Sequence, residues 1–376
     1  MIRTNTITTK IKIIQFNSYS GIGGGEQILF DITKGLKNDF DFLVVAPSGL
    51  LLQRCCDIGI RTKIIEATGL LGRLKEIKKI FKKANSDIIH MHGTRAAFWG
   101  RLAIIGLKNK PKIIYTLHGF HIIRKKFFLK WSLILAERFL NRWTTFLVCV
   151  SEADKNLVLR YKTIFSKKLR LIKNGIDIER FQLTPEAIRQ AREDMGLRNK
   201  LVLCSIGRLH LPKDFSTILR ALKIIILKKK DVALLIIGDG PLRKSLEKEV
   251  GELGLEEFVK FLGFRKDIPL LINLSDIMIL STRWEGLPLA PIEAGACRKS
   301  IIASDIDGVR EIILDKKTGF LFEPGSENDL ADKILELGKS EELRKKMGQR
   351  AFEFISKNFS KQRMIKEYKS LYESLL

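Results

Sequence analysis

Cysteine is scarce in this sequence and shows no paired spacing. Of the 376 residues five are cysteine, and no two of them stand at the C-x-x-C spacing of a zinc or redox motif. An odd number of cysteines also fits no disulfide framework. We therefore expect a protein of a reducing compartment, the cytoplasm, without a structural zinc site.

Long apolar runs are absent as well. No stretch approaches the ~18 apolar residues that span a bilayer, and the Thr-rich first segment lacks the apolar core of a secretory signal. We therefore expect neither a transmembrane helix nor a signal peptide. Hydrophobic residues still make up 45% of the chain and charged residues 29%. This composition excludes wholesale disorder and, at this length, predicts two or three domains.

Acidic residues are few in the first half of the chain. The net charge is +25, and residues 1–180 hold 33 Lys and Arg against 13 Asp and Glu, whereas residues 181–376 hold 34 against 29. Such an asymmetry indicates an anionic partner for the first half: nucleic acid, an acidic membrane face or a phosphorylated substrate. A Lys-rich surface without a specific partner is the alternative.

Short apolar, β-branched runs alternate with amphipathic helical stretches along most of the chain. Continuous apolar strands between helices are typical of parallel sheets covered on both faces, as in doubly wound α/β folds. The polar segment 181–200 interrupts the alternation, so we predict two Rossmann-like domains facing a central cleft. The predicted strands are 11–16, 42–46, 63–65, 88–92, 112–117, 146–150, 169–172, 201–206, 233–237, 259–262, 277–280 and 300–303.

Glycines follow the first predicted strand, at positions 21 and 23–25. At a strand-to-helix turn, glycines let backbone N–H groups approach an anion, and the helix dipole favours negative charge there. Glu26 stands where the dinucleotide-binding fingerprint requires its third glycine, so that fingerprint is excluded. Both a phosphate contact and a simple tight turn fit this loop.

Four of the five histidines fall within residues 90–121, and three of them lie at the ends of two predicted strands. We expect those strand ends to lie at one edge of the sheet. Ordinary buried histidines and a zinc site are both alternatives, but no Cys or carboxylate stands beside them at ligand spacing. His118 is the strongest candidate, because Gly119 leaves space beside its ring. The four are His90, His92, His118 and His121.

The second half carries two further candidate groups. Arg208 and Lys213 follow a predicted strand and are suited to bind a diphosphate, although an ordinary surface loop fits them too. Glu285 and Glu293 flank the start of a short helix, where backbone amides point towards a phosphate and the carboxylates accept hydrogen bonds from sugar hydroxyls. This segment comprises Gly286, Leu287, Pro288 and Leu289, of which Pro288 alone has no N–H group.

Taken together, these motifs resemble glycosyltransferase family 4, the retaining transferases of GT-B fold, over nearly the whole chain. One departure is Asp214, where many members have glycine. The motifs that carry the resemblance are Gly23–Glu26, Val150–Glu152, Asn174–Asp177 with Phe181, Gly207–Leu209 with Lys213, Gly238–Pro241, and Glu285 and Glu293 followed by Gly308–Glu311.

The resemblance implies a role for each candidate residue. Arg208 and Lys213 would hold the diphosphate of a nucleotide sugar, with a UDP-sugar favoured, and Glu285 and Glu293 would contact the donor sugar and the ribose. His118 would lie beside the donor sugar. The remaining donor-binding positions implied are Gly23, Gly24, Gly25, Gly207, Gly238, Arg265, Gly286, Leu287, Pro288 and Leu289.

The resemblance also implies the organisation of the chain. Residues 1–182 would form the acceptor-side domain and 183–357 the donor domain, with a last helix, 358–376, that crosses back to the first. Typical members use no metal, which agrees with the lack of a DxD motif in a matching loop. No cofactor is expected beyond the nucleotide sugar itself.

The basic first half would then face the acceptor. Its most suggestive stretch interleaves cations with aromatics, as at an anionic membrane interface. We interpret it as a peripheral attachment to the inner face of the cell membrane, with a saccharide or lipid-linked saccharide as acceptor. An ordinary helix with Phe128 and Trp131 in the core is the alternative. The residues of this stretch are Arg124, Lys125, Lys126, Lys130 and Trp131.

Other functions fit the sequence less well. A nucleic-acid binder would suit the charge, but no RNA- or DNA-binding motif is present. A non-catalytic nucleotide-sugar sensor and a sugar-nucleotide epimerase share the expected fold. A phosphorylase would need a pyridoxal lysine and a far longer chain. The sequence therefore favours a metal-independent hexosyltransferase.

Overall fold

A computed structural model describes residues 10–21, 23–120, 122 and 125–375 of the chain. It divides into two compact units, one comprising residues up to 174 together with 362 onward, the other residues 175–361. The boundary lies before Gly175 rather than after Gln182. The reason is local packing, because Ile176 pairs with Ser360 and the carbonyl of Phe181 accepts a hydrogen bond from Asn273, both within the second unit.

The first unit contains a seven-stranded parallel sheet of order β3-β2-β1-β4-β5-β6-β7. Its strands are β1 Lys12–Asn17, β2 Asp41–Ala46, β3 Arg61–Ile64, β4 Ile88–His92, β5 Lys112–Leu117, β6 Phe146–Cys149 and β7 Leu169–Leu171. Its helices are α1 Gly24–Leu36, α2 Leu50–Asp57, α3 Leu70–Ala84, α4 Gly93–Ile104, α5 Phe127–Leu140, α6 Glu152–Arg160 and, from the end of the chain, α15 Lys361–Glu373.

The second unit contains a six-stranded parallel sheet of order β10-β9-β8-β11-β12-β13. Its strands are β8 Leu201–Ile206, β9 Val232–Ile237, β10 Val259–Gly263, β11 Ile277–Leu280, β12 Ser300–Ser304 and β13 Phe320–Phe322. Its helices are α7 Pro185–Asp194, α8 Phe215–Ile226, α9 Arg243–Leu253, α10 Ile268–Asn273, α11 Leu289–Ala296, α12 Asp307–Arg310, α13 Glu327–Lys339 and α14 Glu341–Asn358.

Each sheet is buried by helices on its two faces, which confirms the predicted fold class. Every residue of β9 is buried, and the apolar faces of α8 and α13 join the strands in one core. All twelve predicted strands are present, within two residues at each end. Strand β13 was not among the predicted strands, because a three-residue strand gives a weak periodic signal.

The strand order places one switch point in each sheet. In the first sheet the order reverses between β1 and β4, and in the second between β8 and β11. The connections from these central strands leave in opposite directions, which opens a crevice at their carboxyl ends. Open α/β sheets bind ligands in that crevice, so the two switch points are the expected ligand sites.

Candidate active site

The switch point of the second sheet brings two predicted catalytic side chains together. Lys213 belongs to the loop after β8 and Glu285 to the loop after β11. The Nζ atom of Lys213 lies 2.6 Å from Oε1 of Glu285, and the two side chains are 15% and 23% exposed. An ammonium has three donors, so this ion pair leaves Lys213 able to bind an anion.

Two of the predicted donor-binding glycines touch each other at this point. Gly238 follows β9 with a φ of +127°, and a Cβ there would lie 2.1 Å from the carbonyl oxygen of Gly207. A Cβ on Gly207 would in turn lie 3.1 Å from Cε of Lys213. Any side chain at either position would therefore displace the backbone or the lysine that line the crevice.

Asp214 occupies the position where many members of the family have glycine. Its φ is +46°, a left-handed conformation that glycine adopts without strain. Two contacts hold the aspartate there: the guanidinium of Arg283 lies 3.0 Å from Oδ2, and the hydroxyl of Ser281 donates to its main-chain carbonyl at 2.9 Å. The local backbone is thus the one that a glycine would take.

The segment Gly286–Leu289 leads into α11, whose first residue is Leu289. A Cβ on Gly308 would lie 2.1 Å from the carbonyl oxygen of Gly286, so α12 packs directly on this turn. In the described part of the chain no side chain caps the N-terminus of α11, which follows Pro288. Its first amides therefore stay without a side-chain partner at the carboxyl end of β11.

Glu293 lies on α11, partly buried. Loss of contact with water raises the pKa of its carboxyl to about 7, although the charges of Arg180 and Lys213 oppose the shift. The carboxyl is therefore partly protonated at neutral pH, and a ligand that donates hydrogen bonds would favour its ionised form. Arg180, on the turn Ile178–Phe181, was not among the predicted site residues.

Two further predicted site residues, Arg208 and Arg265, form no ion pair with Glu285 in the described part of the chain. Arg208 is exposed in the loop after β8 and forms no ion pair with any residue that the structure describes. Arg265 follows the edge strand β10 and binds the carboxylate of Asp267 through two hydrogen bonds, of 2.8 and 2.6 Å. Arg265 therefore follows the strand at the edge of the sheet, two strands away from β8, rather than a strand of the switch point.

The first unit places the glycine loop beside His118. Helix α1 begins at Gly24 with Gly23 as its N-cap, and a Cβ on Gly25 would lie 3.3 Å from Cδ2 of His118. Asn17, the last residue of β1, donates to Oε1 of Glu26 at 2.9 Å. Burial raises the pKa of the Glu26 carboxyl, while the hydrogen bond from Asn17 lowers it. The two sequence motifs thus share the β1/β4 switch point.

The predicted histidines of β4 belong to a buried polar network. Nε2 of His92 lies 2.8 Å from Oε1 of Gln15, and Nδ1 of His92 lies 3.4 Å from Nε2 of His118. Nδ1 and Nε2 of His90 lie 2.7 Å from the hydroxyls of Tyr372 and Thr116. His121, the fourth, lies outside the described residues.

Sequence reasoning missed Gln15, Thr116 and the two tyrosines of α15. A signal existed, because Gln15, His90 and Thr116 each stand between apolar or aromatic residues in their strands. Gln15 is in register with His90, and Thr116 with His92, so all four side chains lie on one face of the sheet. Tyr368 and Tyr372, from the far end of the chain, gave no such signal.

Burial keeps the three described histidines of this network, His90, His92 and His118, uncharged. Loss of solvent lowers the pKa of His90 to about 3 and that of His118 to about 4, and it lowers the pKa of His92 far below its ordinary value. Among the described residues no group of three or more His, Cys, Asp and Glu is arranged to hold a metal ion. The histidines are therefore placed as neutral hydrogen-bonding groups.

The predicted basic and aromatic stretch leads into helix α5, which carries Lys130 and Trp131. Phe128 is 87% exposed and Trp131 38% exposed, so the alternative that both lie in the core is wrong. Lys125 and Lys126 precede the helix and are exposed, and Lys130 Nζ lies 5.4 Å from the ring centre of Trp131. Arg124 lies outside the described residues. Within those residues, no helix combines the length and the apolar character that crossing a bilayer requires.

The two parallel sheets, each covered by helices, have the architecture of the GT-B fold. The chain belongs to glycosyltransferase family 4. The family described as Glycosyltransferase Family 4 matches residues 22–180, and the one described as Glycosyl transferases group 1 matches residues 188–354. The resemblance stated from the motifs is thereby confirmed.

Named relatives cover most of the chain. An Escherichia coli UDP-Gal:alpha-D-GlcNAc-diphosphoundecaprenol alpha-1,3-galactosyltransferase is 29% identical over 84% of each chain. The Staphylococcus aureus capsular polysaccharide biosynthesis glycosyltransferase CapM is 25% identical over 90% of this chain and 91% of its own. The crystal structure of Anabaena HepE in complex with UDP-glucose superposes with a TM-score of 0.88, at 22% identity, over 97% of this chain and 100% of that one.

Proposed function

We propose that the protein is a retaining hexosyltransferase that takes a sugar from a UDP-sugar and delivers it to a hydroxyl of a saccharide or lipid-linked saccharide. The observation that carries this proposal is the Lys213–Glu285 pair at the β8/β11 switch point, lined by contacting glycines. The ammonium of Lys213 and the backbone of the glycines beside it are offered to a diphosphate. The carboxylate of Glu285 is offered to a sugar. The UDP-glucose bound to HepE, and the E. coli relative that acts on a diphosphoundecaprenol-linked sugar, support this donor and acceptor in surface polysaccharide or glycolipid assembly.

The reaction breaks the bond between the anomeric carbon and the diphosphate oxygen. The electron pair of that bond stays on the departing diphosphate, whose growing charge Arg208 and Lys213 neutralise. The acceptor oxygen bonds to the anomeric carbon on the same face, and its proton passes to the departing diphosphate. Glu285 contacts the sugar and Glu293 the ribose, and no step requires a metal ion.

Arg208→Ala tests the assignment of the diphosphate site. We expect turnover to fall about 10²–10³-fold, as when one group that stabilises developing charge is removed, with an unchanged melting temperature because Arg208 is exposed. Arg198→Ala is the matched control: its side chain is 78% exposed and precedes the amino end of β8, away from the switch point. Equal turnover in the two variants would remove Arg208 from the site.

The class of reaction is tested on the wild-type protein. A screen of nucleotide sugars by thermal shift selects the donor, since a ligand at 100 times its dissociation constant stabilises by about 2.7 kcal/mol. NMR of the product then reports whether the anomeric configuration is retained, and transfer in excess chelator tests metal independence. Binding without transfer or hydrolysis would favour a nucleotide-sugar sensor instead.

We further propose that the protein is cytoplasmic and that α5 attaches it to an anionic membrane face. Four of its exposed apolar residues follow one another at spacings of three, four and four, so these four form one stripe along the helix. Cations stand around that stripe, which suits the headgroups of an acidic bilayer. The stripe is Phe128, Trp131, Leu135 and Phe139, and the flanking cations are Lys125, Lys126, Lys130, Arg138 and Arg142.

A buried ion pair accounts for the outward orientation of the stripe. Both faces of α5 are rich in apolar residues, so hydrophobic patterning alone does not decide which face is buried. The fully buried guanidinium of Arg101 on α4 binds the Glu137 carboxylate at 2.8 Å and Oδ1 of Asn141 at 2.7 Å. Rotating α5 would take the Glu137 carboxylate away from the buried guanidinium of Arg101, and a buried charge without a counter-charge is strongly unfavourable.

Cosedimentation with phospholipid vesicles tests the attachment. Lys125→Gln/Lys126→Gln/Lys130→Gln should weaken binding to anionic vesicles by up to about 100-fold, at about 1 kcal/mol for each cation. Lys79→Gln/Lys82→Gln/Lys83→Gln removes the same charge from exposed positions on α3 and serves as control. Phe128→Ser should weaken binding, whereas Phe165→Ser, 75% exposed outside α5, should not. Equal binding to neutral and anionic vesicles would contradict the proposal.

A further inference from the structure

Helix α15 inserts two tyrosine hydroxyls into the buried polar network of the first sheet. Tyr372 and Tyr368 are almost completely buried. The Tyr372 hydroxyl lies 2.7 Å from Nδ1 of His90 and accepts a hydrogen bond from Nε2 of Gln15 at 2.9 Å. The Tyr368 hydroxyl lies 3.1 Å from Oγ1 of Thr116. Apolar residues would pack the same helix on the sheet, so these hydroxyls call for an explanation beyond packing.

The hydrogen bonds of Gln15 determine which ring nitrogens of His92 and His118 carry protons. Its Nε2 donates to Tyr372, which orients the amide and points Oε1 at His92, 2.8 Å from Nε2. A carbonyl oxygen only accepts, so neutral His92 carries its proton on Nε2 and has a lone pair on Nδ1. That lone pair faces Nε2 of His118.

His118 is the member of the network that reaches the switch point. Its Nε2 donates to Nδ1 of His92 at 3.4 Å, so in the neutral ring the proton is on Nε2 and Nδ1 holds a lone pair. The ring is partly exposed beside Gly25, and Nδ1 has no hydrogen-bond partner among the residues that the structure describes. A nitrogen in this state accepts a hydrogen bond from a hydroxyl group.

We propose that Tyr372 is a positioning residue: through Gln15 and His92 it holds the proton of His118 on Nε2, so that Nδ1 is presented as an acceptor to a sugar hydroxyl. The inference rests on the proposed glycosyltransferase function and assigns a task to the last helix of the chain. Loss of the Tyr372 hydroxyl removes the acceptor of Gln15 Nε2. The amide is then free to flip, which would reverse the tautomers of His92 and His118.

The two tyrosines of α15 supply a matched pair of variants. Tyr372→Phe removes the hydroxyl that orients Gln15, whereas Tyr368→Phe removes an equally buried hydroxyl that contacts Thr116 instead. We expect kcat for sugar transfer to fall about tenfold in Tyr372→Phe and less than twofold in Tyr368→Phe. A purely structural role would lower both alike, and that result, or an unchanged kcat in Tyr372→Phe, would overturn the inference.

A second measurement does not depend on activity. In protein labelled with ¹⁵N-histidine, long-range ¹H–¹⁵N spectra separate protonated from unprotonated ring nitrogens. Wild type should show His92 and His118 protonated on Nε2 alone, and Tyr372→Phe should show a mixture of tautomers. Unchanged tautomers in that variant would overturn the inference. A wild-type protein without transfer from any nucleotide sugar would instead refute the proposed function, and the spectra would still decide the role of Tyr372.

Discussion

Replacement of Glu293 by glutamine should stabilise the second unit in a pH-dependent way. In the folded protein, burial raises the pKa of this carboxyl from 4.5 to about 7. Between these two values the folded state keeps a proton that the unfolded state has released. The protonated carboxyl therefore contributes stability that is fully present below about pH 4.5 and is lost as the pH rises through 7. Glutamine does not titrate, so the variant keeps that contribution.

The size of the effect follows from the shift. Each pKa unit corresponds to about 1.4 kcal/mol, so the shift sets an upper limit of about 3 kcal/mol. Glu293 is only partly buried, and solvent screening reduces the effect to about 1–2 kcal/mol. We expect Glu293→Gln to exceed wild type by this amount at pH 8 and to differ little from it at pH 5.

Hydrogen exchange of peptides from residues 175–361, followed in increasing urea, measures the free energy of unfolding of the second unit itself. Glu342→Gln, at an exposed position on α14, is the control and should equal wild type at both pH values. A stability gain of the same size at pH 5 and pH 8 would refute the argument from burial. The same variant should bind UDP-sugar more weakly, because an amide accepts fewer hydrogen bonds from a diol than a carboxylate does.

Two further predictions concern backbone positions at the same switch point. Gly308→Ala should lower the free energy of unfolding by about 1–3 kcal/mol and weaken UDP-sugar binding, because its Cβ would lie 2.1 Å from the Gly286 carbonyl oxygen. Gly69→Ala, with nothing within 4 Å of its Cβ, is the control, and equal effects in urea unfolding would contradict the prediction. Asp214→Gly should change the free energy of unfolding by less than about 1 kcal/mol, since relief of the left-handed strain offsets loss of the ion pair with Arg283, whose side chain is 55% exposed. Asp214→Ala keeps the left-handed strain and loses the ion pair with Arg283. It should therefore lower the free energy of unfolding by about 1–2 kcal/mol in the same assay.

Local patterns account for most of the fold that could be predicted. The apolar run of β9 is buried over its full length and was visible as such, whereas the three-residue β13 was too short to give a periodic signal. Several candidate site residues were visible because each follows a strand, as Lys213 follows β8 and His118 follows β5. The departure at Asp214 was visible too, but its left-handed backbone was not.

Long-range contacts account for what could not be predicted. The spacing of residues along the chain does not show that Lys213 binds Glu285, or that Arg101 decides which face of α5 is exposed, because these contacts join separate elements. The clearest case is the hydrogen bond between Tyr372 and Gln15, residues 357 positions apart.

The amino-acid sequence by itself determined the alternation of strands and helices, the glycine turns and the family, because these follow from local periodicity and short motifs. Only the tertiary structure decided how the charges pair and which polar groups surround each histidine nitrogen. Proton positions depend on every partner in a buried network, and those partners come from opposite ends of the chain.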